Sequence, residues 1–207
     1  MAITAYVGLP GAGKTYLMSV DILESMRKQN REVWTNYPLV NAHYFDDFRL
    51  VQKVTKGIIA ADELPALAHA WDWRNLDPKL LTLWTQSRKL GIDFWYTAQG
   101  FHMVNNQVRQ LTNWVWRCRE LFGGVHVAYK FDACDVERDR RRAKIYETRY
   151  FVIRPKFYTQ YDTLFRVKPP DLDELDFEPE DLPVFNENLD LPPMPKIQWK
   201  DEGPPIL

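Results

Sequence analysis

The feature that most constrains this chain is near its amino terminus, where an apolar run leads into a loop of glycines. Residues 3–8, ITAYVG, have the composition of a short buried strand. The loop GLPGAGKT follows at residues 8–15 and satisfies the pattern G-x-x-x-x-G-K-[ST], and residues 14–29 carry an apolar stripe at helical spacing. A strand, a glycine-rich loop and a helix in this order predict a phosphate-binding loop.

The residue types in this loop indicate how it would hold a nucleotide. Glycines let backbone N–H groups converge on phosphate oxygens, and the start of the helix adds positive potential. Lys14 is expected to be an exposed positive charge rather than a core residue, and Thr15 is expected to be a ligand of Mg²⁺. A glycine-rich turn with no ligand is the weaker alternative. The predicted nucleotide-binding residues are Gly8, Pro10, Gly11, Ala12, Gly13, Lys14, Thr15 and Tyr16.

A second motif follows the third predicted strand, residues 57–62, which is apolar until its last residue. Asp62 and Glu63 at its end match a Walker B motif, in which the aspartate holds Mg²⁺ through water and the glutamate polarises the attacking water. Any buried strand can end in acids that face solvent, so the motif is weak by itself. Its position one strand beyond a crossover from Lys14 favours the catalytic interpretation.

Two further residues are candidates for catalysis. The fourth predicted strand, residues 92–98, leads into Gln99, and either Gln99 or Thr97 would orient the attacking water if this strand lies between the loop strand and the Walker B strand. Gln99 would otherwise only cap the strand. Arg88 lies in the last turn of a predicted helix at residues 78–90. It would act as an arginine finger for a neighbouring subunit or would only be a cation that suits the helix dipole.

The order of the predicted elements indicates an α/β fold with a mainly parallel sheet flanked by helices. Five strands are predicted, at residues 3–8, 32–36, 57–62, 92–98 and 114–118, with helices at 14–29, 64–70, 78–90 and 104–111. From Gly123 the pattern changes, because residues 125–131 and 145–153 alternate apolar with polar residues around a charged turn. That alternation predicts a C-terminal β-hairpin.

Charge divides the chain into two parts, although the net charge of the whole is −1. Residues 169–207 contain 11 acidic residues and two lysines, so this segment has a net charge of −9 and residues 1–168 have a net charge of +8. The segment also contains nine of the 14 prolines, which predicts an extended acidic tail. We therefore expect an ATPase domain at 1–168 and an extended tail at 169–207. The tail would screen the basic domain, anchor to a neighbouring subunit or capsid protein, or only aid solubility. Phe185 and Trp199 favour anchoring.

Residues 137–144, ERDRRRAK, place five cations in eight residues at the hairpin turn. They form either an ordinary solvated tip or a contact to a nucleic-acid backbone. Trp71 and Trp73 would likewise either stack on bases or join the core. The histidines lack ligand spacing with the two cysteines, so we propose no structural metal site. No stretch approaches the roughly 18 apolar residues of a membrane span, and none is expected.

With these motifs in hand, the chain resembles the zonula occludens toxin-like (Zot) ATPases of filamentous-phage assembly, a branch of the FtsK/HerA class. The segments that carry the resemblance are VGLPGAGKTYLM, IIAADEL and LWTQSRKLGIDFWYTAQ, with YTQYDT at residues 158–163. The resemblance implies a P-loop NTPase fold, RecA- or FtsK-HerA-like, and a Mg²⁺-dependent ATPase. It also implies nucleotide roles for Lys14, Thr15, Asp62, Glu63 and Gln99, with Arg88 as the finger.

The resemblance further implies a homo-oligomer, such as a ring, that couples ATP hydrolysis to the movement of viral DNA. Family members that extrude phage usually continue into a membrane span, whereas this chain ends in the acidic tail, which favours genome packaging over extrusion. The expected location is the host cytoplasm, a virion vertex, or the membrane through other viral proteins. Two alternatives stay open: a nucleotide-dependent switch or small-substrate kinase, and a non-catalytic assembly module.

Overall fold

The computed structural model describes residues 2–46, 54–65, 91–139 and 141–153, which form an α/β fold around one eight-stranded sheet. Three complete α-helices and a 3₁₀ turn at Phe101–Met103 accompany the sheet in these ranges. The strands are β1 (Ile3–Val7), β2 (Val33–Thr35), β3 (His43–Tyr44), β4 (Gly57–Ala61), β5 (Ile92–Ala98), β6 (Trp114–Glu120), β7 (Val125–Asp132) and β8 (Ile145–Val152), and the helices are α1 (Lys14–Gln29), α2 (Asn106–Leu111) and α3 (Ala133–Arg138).

The strand order is β3-β2-β4-β5-β1-β6-β7-β8. Strands β1 to β6 pair in parallel, and β7 and β8 add to them as antiparallel strands. The register aligns Val7 of β1 with Ala98 of β5, and Ala61 of β4 with Tyr96 of β5. The loop after β1 and the acids after β4 therefore leave the sheet at the same carboxyl edge, where open α/β sheets bind ligands.

The core has one apolar layer on each face of the sheet. On one face, Leu17, Met18 and Ile22 of α1 pack against Tyr6 and Trp116. On the other face, Val104, Val108 and Ala133 pack against β1 and β5 through residues such as Ala5 and Phe94. Parallel strands covered on both faces are apolar throughout, which explains why β4 is fully buried along its length.

The predicted α/β fold with a mainly parallel sheet is confirmed, and α1 and β5 have their predicted bounds. The β7–β8 pairing confirms the C-terminal hairpin, but two details of the prediction are wrong. The strand after residue 113 runs on to Glu120 and forms an unpredicted hairpin with β7. The charged turn begins as helix α3, because Asp132 caps it by accepting a 2.8 Å hydrogen bond from the Cys134 N–H.

Several predictions fall on residues outside the described ranges. They include the helix at 78–90 with Arg88, the aromatic residues Trp71 and Trp73, the segment at 158–163 and the tail at 169–207. The helix predicted at 64–70 is described only at Leu64 and Pro65, which are helical. In the part of the chain that is described, every helix is too short or too polar to cross a membrane.

Candidate nucleotide-binding site

The loop between β1 and α1 needs glycine at two positions because other strands approach it closely. A Cβ atom on Gly8 would lie 2.3 Å from the backbone oxygen of Cys118 in β6. Gly13 has a left-handed φ of 79°, and a Cβ there would lie 2.8 Å from the ring of Phe151 in β8. The loop is thus held between the sheet and the start of α1, and the residue before that helix, Gly13, has no side chain with which to cap the N–H groups of its first turn.

Lys14 is buried, with 6% of its surface exposed, so the expectation of an exposed charge is wrong. Its Nζ donates a 3.2 Å hydrogen bond to the backbone oxygen of Leu9, across the loop. An ammonium group has three donors, and among the described residues Leu9 supplies the only acceptor. Two of its three donors are therefore without a protein acceptor among the described residues, and an anion such as a phosphate chain on the N–H groups of the loop would supply acceptors.

The side chains of the two motifs meet at one oxygen of Asp62. The Thr15 hydroxyl donates to Asp62 Oδ1 over 2.8 Å, and the Thr97 hydroxyl donates to the same oxygen over 2.6 Å. Burial raises the pKa of Asp62, and the hydrogen bonds from Thr97 and Thr15 partly offset that rise. A hydroxyl beside a carboxylate is a set of oxygen donors that suits Mg²⁺, so these residues fit the predicted metal.

Asn36, which follows β2, holds the backbone of Asp62 from the other side. Its Oδ1 accepts a 2.7 Å hydrogen bond from the Asp62 N–H, and its Nδ2 donates over 3.0 Å to the Asp62 backbone oxygen. The sequence analysis did not single out Asn36. A polar residue at the carboxyl end of a parallel strand was the available signal, but only the sheet order places β2 beside β4.

Glu63 has a left-handed backbone, with φ 49°, which is uncommon for a residue with a side chain. Its N–H donates a 2.8 Å hydrogen bond to Thr97 Oγ1, so the same hydroxyl holds both acids. Glu63 is half-buried, and burial, together with the charge of Asp62, raises its pKa. Glu63 therefore follows Asp62 on a backbone that Thr97 fixes, and its carboxyl group is close enough to feel the charges of Asp62 and Lys14.

The other predicted site residues have different surroundings. Gln99 is exposed after β5, and Thr97 rather than Gln99 contacts Asp62. Pro10 is exposed and Ala12 is buried. The Tyr16 side chain packs against β8, where its hydroxyl donates a 3.3 Å hydrogen bond to the Val152 backbone oxygen, so only its backbone belongs to the loop. Arg88 lies outside the described residues.

The fold and this loop define the class of the protein, which has the α/β architecture of P-loop ATPases. No protein-family model matches the sequence, and no curated protein sequence matches it. Among solved structures, the chain is similar to the N-terminal domain of zonular occludens toxin from Neisseria meningitidis. The two share 20% identity over 78% of this chain and 100% of that domain, with a TM-score of 0.54.

A second similar structure is B204, the DNA-packaging ATPase from Sulfolobus Turreted Icosahedral Virus. The two are 12% identical over 70% of this chain and 97% of B204, with a TM-score of 0.50. At these identities the similarity concerns the fold. It confirms the resemblance to Zot-like ATPases at that level.

Proposed function

We propose that this protein is a Mg²⁺-dependent ATPase that couples ATP hydrolysis to the movement of viral DNA, in genome packaging or phage assembly. The observation that carries the hydrolytic part is the meeting of Thr15 and Thr97 at Asp62, with Glu63 next to it on a fixed backbone. The fold shared with the zonular occludens toxin domain and the packaging ATPase B204 supports the viral part.

Each residue of the site has a role in this proposal. The N–H groups of the loop and Lys14 bind the phosphate chain, and Thr15 and Asp62 hold Mg²⁺, which would neutralise phosphate charge. Glu63 accepts a proton from the water that attacks the γ-phosphorus, and the bond to the ADP oxygen breaks. Thr97 and Asn36 position the two acids. Gln99 remains a candidate for orienting the water, and Arg88 remains a candidate finger from a neighbouring subunit.

A basic and aromatic surface supports the DNA part of the proposal. Arg138, Arg141, Arg142 and Lys144 are exposed around the end of α3 and the turn before β8. Beside them, Lys130 Nζ lies 4.7 Å from the centre of the Trp114 ring, and Lys144 Nζ lies 5.2 Å from that of Tyr146. Cations interleaved with aromatic rings suit phosphates and bases, so we assign DNA contacts to this surface. Ordinary solvation of the turn is the alternative.

The assembly belongs to the same proposal. A homo-oligomer, such as a ring, would let Arg88 reach a neighbouring site, and the tail at 169–207 would anchor to a neighbouring subunit or to a capsid or membrane-associated viral protein. The protein would then work in the host cytoplasm, at a virion vertex or at the membrane through such a partner.

One experiment separates this proposal from its alternatives. ATP hydrolysis is measured with no DNA, with single-stranded DNA and with double-stranded DNA, and the native mass is determined in parallel. We expect the protein to be an oligomer whose ATP hydrolysis is stimulated by single-stranded or by double-stranded DNA. Hydrolysis or transfer to a small acceptor that ignores DNA would favour a switch or kinase. Nucleotide binding with no turnover under any condition would favour the assembly module.

A further inference from the structure

His126, near the start of β7, is a buried polar residue whose position the proposed mechanism does not explain. Only 4% of its surface is exposed, and its Nδ1 atom has no hydrogen-bond partner in the described structure. Buried polar atoms in folded proteins almost always have a partner, and an atom without one needs an explanation. A ligand that the protein binds is one such explanation.

The position of this nitrogen points to the phosphate-binding loop. His126 Nδ1 lies 3.5 Å from the place where a Cβ atom on Gly13 would stand. Gly13 comes directly before Lys14, so the free nitrogen lies against the last turn of the loop. The sheet brings Gly13 and His126 together, because β6 is the one strand between β1, which leads into the loop, and β7, which carries His126.

The imidazole ring is held rigidly in this position. It stacks on Phe151 with 5.3 Å between ring centres and 16° between planes. Phe151 in turn stacks on Tyr16, with 5.6 Å between centres and 9° between planes. Because this column of three rings joins β7, β8 and the start of α1, the ring has little freedom to turn away from the loop.

The sheet order also indicates which end of a nucleotide His126 would meet. Asp62 and Glu63 follow β4, on one side of β1, and mark the end of the site where the γ-phosphate reacts. His126 lies on β7, on the opposite side of β1. A nucleotide bound along the loop with its γ-phosphate near Glu63 therefore has its α-phosphate and ribose on the side of His126.

We propose that His126 is a nucleotide-binding residue: its Nδ1, which the turn at Gly13 covers in this structure, is uncovered when a nucleotide binds and hydrogen-bonds the nucleoside end of that nucleotide, at the α-phosphate or ribose. This inference rests on the proposed function, since it requires the loop to bind a nucleotide. It adds a contact that favours a nucleotide over pyrophosphate. Pyrophosphate has no ribose, and with its two phosphates at the β- and γ-positions of the loop it leaves the α-position empty. An imidazole N–H suits both acceptors, the phosphate oxygen and the ribose oxygen.

The test compares two ligands on three variants by calorimetry, with Mg²⁺ present. His126→Phe keeps the ring stack and removes the nitrogen, and we expect the Kd for ADP to rise about tenfold, as for a lost hydrogen bond to a charged group. The Kd for pyrophosphate should stay within about twofold. His126→Asn, whose amide nitrogen can replace Nδ1, should restore most of the ADP affinity. His102→Phe, at an exposed histidine, is the control and should change neither.

A measurement on the wild-type protein does not depend on how well a variant folds. The ¹⁵N signal of His126 Nδ1 should shift when ADP is added and should stay unchanged with pyrophosphate. Unchanged ADP affinity in a folded His126→Phe variant, an equal loss for both ligands, or a His126 signal that ignores ADP would each overturn the inference. Wild-type protein that binds neither ligand would instead overturn the proposed function itself.

Discussion

At the scale of single residues, Lys14 tests the loop most directly, because its charge is buried and has one protein acceptor, the Leu9 backbone oxygen, among the described residues. We expect Lys14→Ala to abolish ATP hydrolysis, since the phosphate chain loses its cation. The fold should survive, because the substitution also removes a buried charge with a single protein acceptor. Hydrolysis and the melting temperature are measured for this variant and for Lys28→Ala, an exposed lysine on the same helix. Unaltered turnover in Lys14→Ala would contradict the assignment of residues 8–15 as a phosphate-binding loop.

Glu63 has a different expected outcome, because it acts on the water and not on the nucleotide. In Glu63→Gln, ATP and Mg²⁺ should still bind, and hydrolysis should slow by about 100-fold or more, as for the loss of a general base. Single-turnover kinetics and ATP affinity are compared with those of a control variant, Glu32→Gln. Glu32 precedes β2, at the amino ends of the parallel strands, whereas Glu63 follows the carboxyl end of β4. If binding is lost together with turnover, Glu63 is a ligand or a structural residue.

The two cysteines should differ sharply in reactivity. Burial raises the pKa of the Cys118 thiol to about 12, whereas Cys134 is exposed on α3. Because the thiolate is the reactive form, iodoacetamide should label Cys134 and leave Cys118 unlabelled in the folded protein. Peptide mass spectrometry gives the extent at each site, and both should react in denaturant. Equal labelling of the two in native buffer would contradict the buried position of β6.

At the scale of elements, an ion pair fastens the edge strand β8 to α1. Arg149 Nη1 donates to Asp21 Oδ1 over 2.6 Å, and the Tyr6 hydroxyl donates to the other carboxylate oxygen over 2.8 Å. The Arg149 guanidinium also lies 4.4 Å from the centre of the Trp116 ring. The last strand of the antiparallel hairpin is thus tied to the helix that begins at the phosphate-binding loop.

Removing the arginine should leave a buried carboxylate without its cation. Arg149→Met should lower the free energy of unfolding by about 1–2 kcal/mol at neutral pH, less than for a fully buried pair because Arg149 is partly exposed. Burial already raises the pKa of Asp21. The fold therefore favours its protonated form, and the loss should shrink as the pH falls and grow as it rises.

Urea unfolding over a range of pH measures this effect. Lys28→Met, which breaks the exposed pair with Glu24, is the matched control and should cost at most about 0.5 kcal/mol. Asp21→Asn combined with Arg149→Met should recover part of the loss, since no buried charge remains. A loss in Arg149→Met that is independent of pH would show that it does not come from the charge of Asp21 left without its cation.

At the scale of the whole molecule, the nucleotide loop and the basic surface lie at opposite ends of the parallel strands. The loop follows the carboxyl end of β1, whereas Trp114, at the start of β6, pairs with Thr4 near the amino end of β1. A motor that used both surfaces would transmit the effect of hydrolysis along β1 and β6. This separation allows the DNA contacts to be changed without touching the site of hydrolysis.

Neutralising Arg140, Arg141 and Arg142 to glutamine should therefore weaken DNA binding and spare hydrolysis without DNA. If each arginine meets a phosphate, the slope of log affinity against log salt should fall by up to about three units. DNA affinity is measured at several salt concentrations, with Lys28→Gln combined with Lys56→Gln as a control at lysines paired with acids. An unchanged slope would show that these arginines do not contact DNA phosphates and that the turn is only solvated.

The sequence alone determined the strand–loop–helix unit, the apolar strands β4 and β5, and the acids Asp62 and Glu63. These features follow from residues that are adjacent or regularly spaced, so local pattern and glycine chemistry are enough to predict them. The sheet also places β5 between β4 and β1, which is the condition under which the sequence analysis expected Gln99 or Thr97 to reach the site.

Only the tertiary structure decided which side chains meet in the site. Asn36 is 26 residues from Asp62, and Thr97 is 35 residues from it, yet both hold it. The Tyr16 hydroxyl contacts the backbone of Val152, 136 residues away. Such contacts depend on the order in which strands join the sheet, and the burial of Lys14 and the free nitrogen of His126 follow from the same order. Hydrophobic burial sets that order over the whole chain, so no local stretch of sequence contains it.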